Sequence, residues 1–173
     1  MTTIKIIGIG NPFRRDDSVG LAAARRLRET CSGAVVVEEA SGEGGDLMER
    51  WRGCDRVILI DAVRSGARPG TIHRLDASSG PIPKAFFSYS THAFSVAEAV
   101  ELARALGRLP RELVIFGIEG LDFSTGEGLT PPVEEALEEV VDNIRHQTSD
   151  AKPGERSIRD DVRPSRTLPI PIR

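Results

Sequence analysis

Hydrophobic and polar positions along the chain follow two periods. Four short runs, Ile4–Ile9 and residues 34–38, 57–62 and 113–118, are apolar almost throughout and rich in Val and Ile, as expected of strands covered on both faces. Other segments repeat about every 3.6 residues. Val133, Ala136, Leu137, Val140, Val141 and Ile144 fall on one stripe of a helix whose wet face carries Glu134, Glu135, Glu138, Glu139 and Asp142. Thr130, followed by Pro131 and Pro132, suits its cap and first turn. A second stripe, Val96, Ala99, Val100, Ala103 and Leu106, is opened by Ser95-Val-Ala-Glu98, which has capping-box spacing. Residues 19–31 and 45–51 complete the helices. The latter follow Ser41-Gly-Glu-Gly-Gly45, whose glycines imply a loop with unusual backbone angles.

Strands and helices thus alternate, which specifies an α/β fold: a three-layer α/β/α sandwich around a twisted, mainly parallel sheet. Residues 70–75 depart from this. They alternate, follow the turn-forming Arg68-Pro69-Gly70, and come too soon after Asp61 for a crossover helix, so they are expected as an antiparallel edge strand. No apolar period survives beyond about Gln147, where Ser, Asp, Lys, Pro, Gly and Arg dominate and four prolines fall from Pro153 to Pro171. Residues 1–147 are expected to form one domain and residues 148–173 a disordered tail rich in Pro and Arg. Within the tail, Leu168-Pro-Ile-Pro-Ile172 suits an extended recognition segment.

Composition narrows the function. A net charge of −3 and a pI near 5.7 leave no basic footprint for nucleic acid, and six Phe, one Tyr and one Trp offer little for stacking bases. No apolar run approaches the ~20 residues of a membrane span, and Met1-Thr-Thr-Ile-Lys5 lacks the pattern of a secretory signal. A cytoplasmic monomer that engages neither nucleic acid nor membrane is expected. Cys31 and Cys54 belong to no CxxC pair, so reduced thiols are expected and not a disulfide framework or a thiolate zinc site.

The candidate chemistry sits at strand ends. The first strand runs into Gly8-Ile-Gly-Asn11, and the loop ends in Asp16-Asp17 where a helix begins. In an open α/β sheet that position borders the ligand crevice, although either acid also suits a helix N-cap. Asp61 terminates an apolar strand, where a charge is costly unless used or paired. His92 precedes the helix opened by Ser95. His73, within the edge strand, and His146, at the end of the last helix, have ordinary structural explanations. Together Asp17, Asp61 and His92 would supply two carboxylates and an imidazole, a set that neutralises a divalent ion, leaves a position open, and suits zinc or nickel better than calcium. Other motifs fail: the third glycine of a dinucleotide fingerprint would fall at Phe13, and HExxH, GxSxG and P-loop patterns are absent.

These residues, in order and spacing, resemble the hydrogenase maturation endopeptidases, which trim the C-terminal extension of nickel-iron hydrogenase large subunits. The marks are Gly8-Ile-Gly-Asn11, Asp16-Asp17 with Gly20, Leu59-Ile-Asp61-Ala62, Ser90-Thr-His92 and Gly128-Leu-Thr-Pro131. The resemblance spans residues 4–144 and implies a twisted sheet between helix layers. It also implies that Asp17, Asp61 and His92 are the metal-binding and catalytic residues, and that the partner is a hydrogenase large-subunit precursor. Nickel would be carried by the precursor and read as a sign of completed insertion; a resident zinc-like ion that activates water is the alternative. Asn11, Asp16, Glu39 and Gly42 are the expected substrate contacts, although Glu39-Ala-Ser-Gly42 stands where the family often has Asp-Gly-Gly-Thr. A non-catalytic checkpoint chaperone holding the same nickel-loaded precursor is the second reading. A small-molecule hydrolase on a Rossmann-like sheet, which rests on fold analogy alone, is the third.

Overall fold

The structure is a computed structural model that describes residues 3–31, 33–83 and 95–149. Strands β1 (Ile4–Ile9), β2 (Val35–Ala40), β3 (Arg56–Val63), β4 (Ile72–Asp76) and β5 (Glu112–Glu119) form one sheet in the order β2-β1-β3-β5-β4. All neighbours are parallel except β4, which runs antiparallel to β5 at the edge. Helices α1 (Val19–Thr30), α2 (Gly44–Arg50), α3 (Val96–Ala105) and α4 (Pro131–Ser149) cover it. The α/β/α sandwich expected from the sequence is therefore the fold.

Period-two alternation in the strands sorts the core into two layers. Ile6, Ile58, Ile60, Val114 and Phe116 pack with Val19, Leu27, Leu137 and Val140, so α1 and α4 share one face. Ile7, Leu59, Leu113 and Ile115 pack with Leu47, Trp51, Val96 and Val100, so α2 and α3 share the other. Ser95 caps α3 as its spacing requires: its Oγ accepts from the Glu98 N–H at 3.4 Å, and the Glu98 carboxylate accepts from the Ser95 N–H at 2.7 Å.

Element ends shift by one or two residues from the sequence reading, and two of these shifts carry information. β2 continues through Glu39 to Ala40, because pairing with β1 runs on to Ile9 opposite Ala40. Cations compensate the two acids the strand now holds: Lys5 and Arg50 on Glu38, Arg25 and Arg28 on the added Glu39. Glu39 is thus a strand residue and not part of the following loop. α4 runs to Ser149, two residues past the expected domain end. Cys31 and Cys54 are free and half-buried, and no helix among the described residues is long and apolar enough to cross a membrane.

Candidate active site

The chain leaves β1 through α1 to reach β2 on one side and passes through α2 to reach β3 on the other, so the strand order reverses between β1 and β3. Such a reversal opens a crevice at the carboxyl ends of the two strands. Missing side chains let α1 start there. A Cβ on Gly8 would lie 2.0 Å from the Gly20 carbonyl oxygen, and one on Gly20 would lie 2.3 Å from that of Ile60. Both are far inside contact distance. A Cβ on Gly10 would meet the Asp17 carbonyl oxygen at 1.9 Å. Backbone against backbone, these contacts bring the turn bearing Asp17 beside the end of β3, where Asp61 stands.

Asp16 and Asp17 sit in a 3-10 turn, Arg15–Ser18, and neither caps α1, whose N-cap position is Ser18. Their fates differ. Asp16 is 0% exposed. One of its oxygens accepts from the N–H of Leu121 at 2.8 Å, the N–H of Asp122 at 2.9 Å and the hydroxyl of Thr130 at 2.9 Å. The other accepts from the N–H of Thr130 at 2.7 Å. Asp16, expected as a substrate contact, has both oxygens bonded within the protein and fastens the loop between β5 and α4. Thr130, expected to cap α4, directs its hydroxyl to Asp16.

Asp61 is 8% exposed, on the face that α2 and α3 cover. Burial pushes its carboxyl well above the usual carboxylate range, the negative charge of Asp17 adds to the rise, and the N–H of Ala62 opposes it. Two acids in one partly desolvated place favour either a shared proton or a cation between them. Their hard oxygen donors suit a divalent ion completed by an imidazole. His92, the expected third member, lies outside the described residues, and no group of three metal-ligating side chains occurs among those described. Asp61 feels the charge of Asp17 across the crevice, and the triad remains an expectation.

The remaining candidates serve the scaffold in this structure. Asn11 accepts from the Phe13 N–H at 2.9 Å, shaping the loop ahead of Asp17. Glu39 is held by Arg25 and Arg28 at 3.0 and 3.1 Å; burial works to raise its carboxyl, and these cations prevail and lower it. Gly42 is buried with φ +92°, against the Ile9 side chain. It precedes Glu43, whose carboxylate caps α2 through the N–H groups of Gly45 and Asp46. Sequence reasoning missed Glu119. It ends β5 at 1% exposure, accepts from Ser65 and Gly66, and lies 3.3 Å from His73 Nε2. An acid closing an apolar strand was the signal that singled out Asp61, and Glu119 carries the same one.

The sequence profile of the hydrogenase maturation protease family matches residues 21–147, a span that holds Asp61 and His92 and begins just after Asp17. The chain belongs to this family. As a hydrogenase maturation protease it is an endopeptidase, a hydrolase of peptide bonds. It is 29% identical over 142 residues to the hydrogenase expression/formation protein HupD of Bradyrhizobium diazoefficiens, covering 80% of this chain and 74% of the relative. It is 28% identical over 160 residues to the hydrogenase 2 maturation protease of Escherichia coli, covering 88% and 96%. The fold matches the solution structure of an endopeptidase from Escherichia coli with a TM-score of 0.73 at 24% identity, over 86% of this chain and 94% of that one.

Proposed function

We propose that this protease removes the C-terminal extension of a nickel-iron hydrogenase large-subunit precursor after nickel insertion, and that Asp17, Asp61 and His92 engage the precursor's nickel. The observation that carries this reading is the buried Asp61 at the crevice between β1 and β3, its carboxyl pushed up by burial and by the charge of Asp17. Similarity to a hydrogenase 2 maturation protease supports the substrate class. Two carboxylates and one imidazole, with no thiolate, make a modest resident zinc site and are better suited to adding ligands to an ion another protein already holds. Engaging that ion would bring the adjacent peptide bond into the cleft, so that proximity supplies much of the rate. Water then adds across the bond, one fragment leaving with a new carboxylate and the other with a new amine.

The test strips the protease with chelator and offers it nickel-loaded and nickel-free precursor, with intact mass as the readout. Trimming of the nickel-loaded form alone is expected. Trimming of the nickel-free form once zinc is restored to the protease would show a resident catalytic ion instead. Binding of the loaded precursor without mass loss would leave a chaperone.

A further inference from the structure

Two large apolar side chains stand in solvent on the loops beside this crevice: Phe13 at 68% exposure and Leu121 at 58%. Isolated exposed apolar residues are ordinary. These two share a fastened support. The Phe13 N–H donates to Asn11 Oδ1 at 2.9 Å, and its carbonyl accepts from the Gly126 N–H at 2.9 Å. The Gly126 carbonyl accepts in turn from the Arg15 N–H at 3.0 Å, and the Leu121 N–H is held by Asp16 at 2.8 Å. Arg15 pays for the bend with φ +38°, a left-handed conformation that costs a non-glycine residue about 1 kcal/mol or more. The loop has apolar surface to tuck into, because Phe123 and Leu129 pack against the core from the same segment. Phe13 and Leu121 are kept out.

We propose that Phe13 and Leu121 form a docking platform for the protein substrate, receiving apolar side chains of the large-subunit precursor as its scissile segment enters the crevice. The proposal rests on the reading of function given above. Continuity argues for this occupant: Phe13 stands in the loop between β1 and α1 that also carries Asp17, and Leu121 stands in the loop that Asp16 ties to that turn. Area argues against a second copy of this protein. Two side chains expose on the order of a few hundred Å² at most, far below the ~1,200–2,000 Å² of a stable interface, whereas a substrate also held in the crevice needs only anchors here.

The experiment measures precursor affinity directly and, in parallel, KM and kcat for trimming, using the full chain with Phe13→Ser, Leu121→Ser and the double change. Leu106→Ser, at an exposed residue that follows α3 where the chain returns to the start of β5, is the control. Each single change should weaken binding and raise KM about 5- to 10-fold with kcat held and Tm unchanged, the scale of a lost apolar anchor, and the control should do neither. Affinities within twofold of the unaltered protein would overturn the platform while trimming by that protein upholds the functional reading. If the unaltered protein binds without trimming, the functional reading fails and the affinities still decide the platform. Absence of any binding would overturn both. Sedimentation showing a dimer that these changes dissociate would assign the surface to a second copy and overturn the proposal.

Discussion

Asp16 and Asp61 are both aspartates buried at the carboxyl end of the same sheet, and they meet opposite surroundings. Asp16 receives four hydrogen bonds from one loop. Asp61 meets desolvation, the like charge of Asp17 and the N–H of Ala62. A buried carboxylate that is fully hydrogen-bonded holds structure together. One placed against another acid destabilises the resting protein and is retained for what it can bind or move. Burial alone did not tell the two apart; their donors did.

The sharpest way to break this contrast is Asp61→Asn. Trimming of precursor should fall by 10³-fold or more, about 4 kcal/mol of lost transition-state stabilisation, while Tm near neutral pH rises by about 2–4 °C because the buried charge is gone. Mass spectrometry and calorimetry check the two halves. An active Asp61→Asn protein would remove this residue from the chemistry. Asp16→Asn should do the reverse. An amide nitrogen would then face N–H donors, destabilising the fold by about 2–4 kcal/mol in denaturant titrations, and kcat per folded molecule should change little. A stable but inactive Asp16→Asn protein would exchange the two roles.

Acidity tests the same contrast with smaller effects. The folded pKa of Asp61 is raised above its unfolded value, so its contribution favours the folded state at low pH and is lost as pH rises from the unfolded value through the folded one. Denaturation midpoints of the unaltered protein and Asp61→Asn should therefore converge toward about pH 4 and separate as pH rises. Parallel curves would mean that Asp61 is not strained. Smaller still, Glu119→Gln should cost about 1–2 kcal/mol by weakening its hold on Ser65, Gly66 and His73, measured by the same unfolding curves.

Most of the architecture was legible because periodicity reports burial directly. The α4 stripe, the Ser95 capping box and the antiparallel edge strand after Arg68-Pro69-Gly70 all depend on neighbours close in sequence. The site was half legible. Strand-end logic points to Asp17 and Asp61, yet it could not separate Asp16 from Asp17, because the donors that bury Asp16 come from residues 121, 122 and 130 and carry no local mark. Glu39 is ambiguous for a related reason. The arginines that neutralise it lie on α1, one helix away, and an acid near a strand end looks the same with or without them.

The Asp16 bonds also set an order of events during synthesis. They join positions 114 residues apart, so the turn carrying Asp17 gains its anchor only after residue 130 has left the ribosome, and domains generally fold as units. A protease released early or truncated before that point would have both acids in its sequence and no assembled site. A chain ended ahead of Thr130 therefore lacks two of the four bonds that hold that turn.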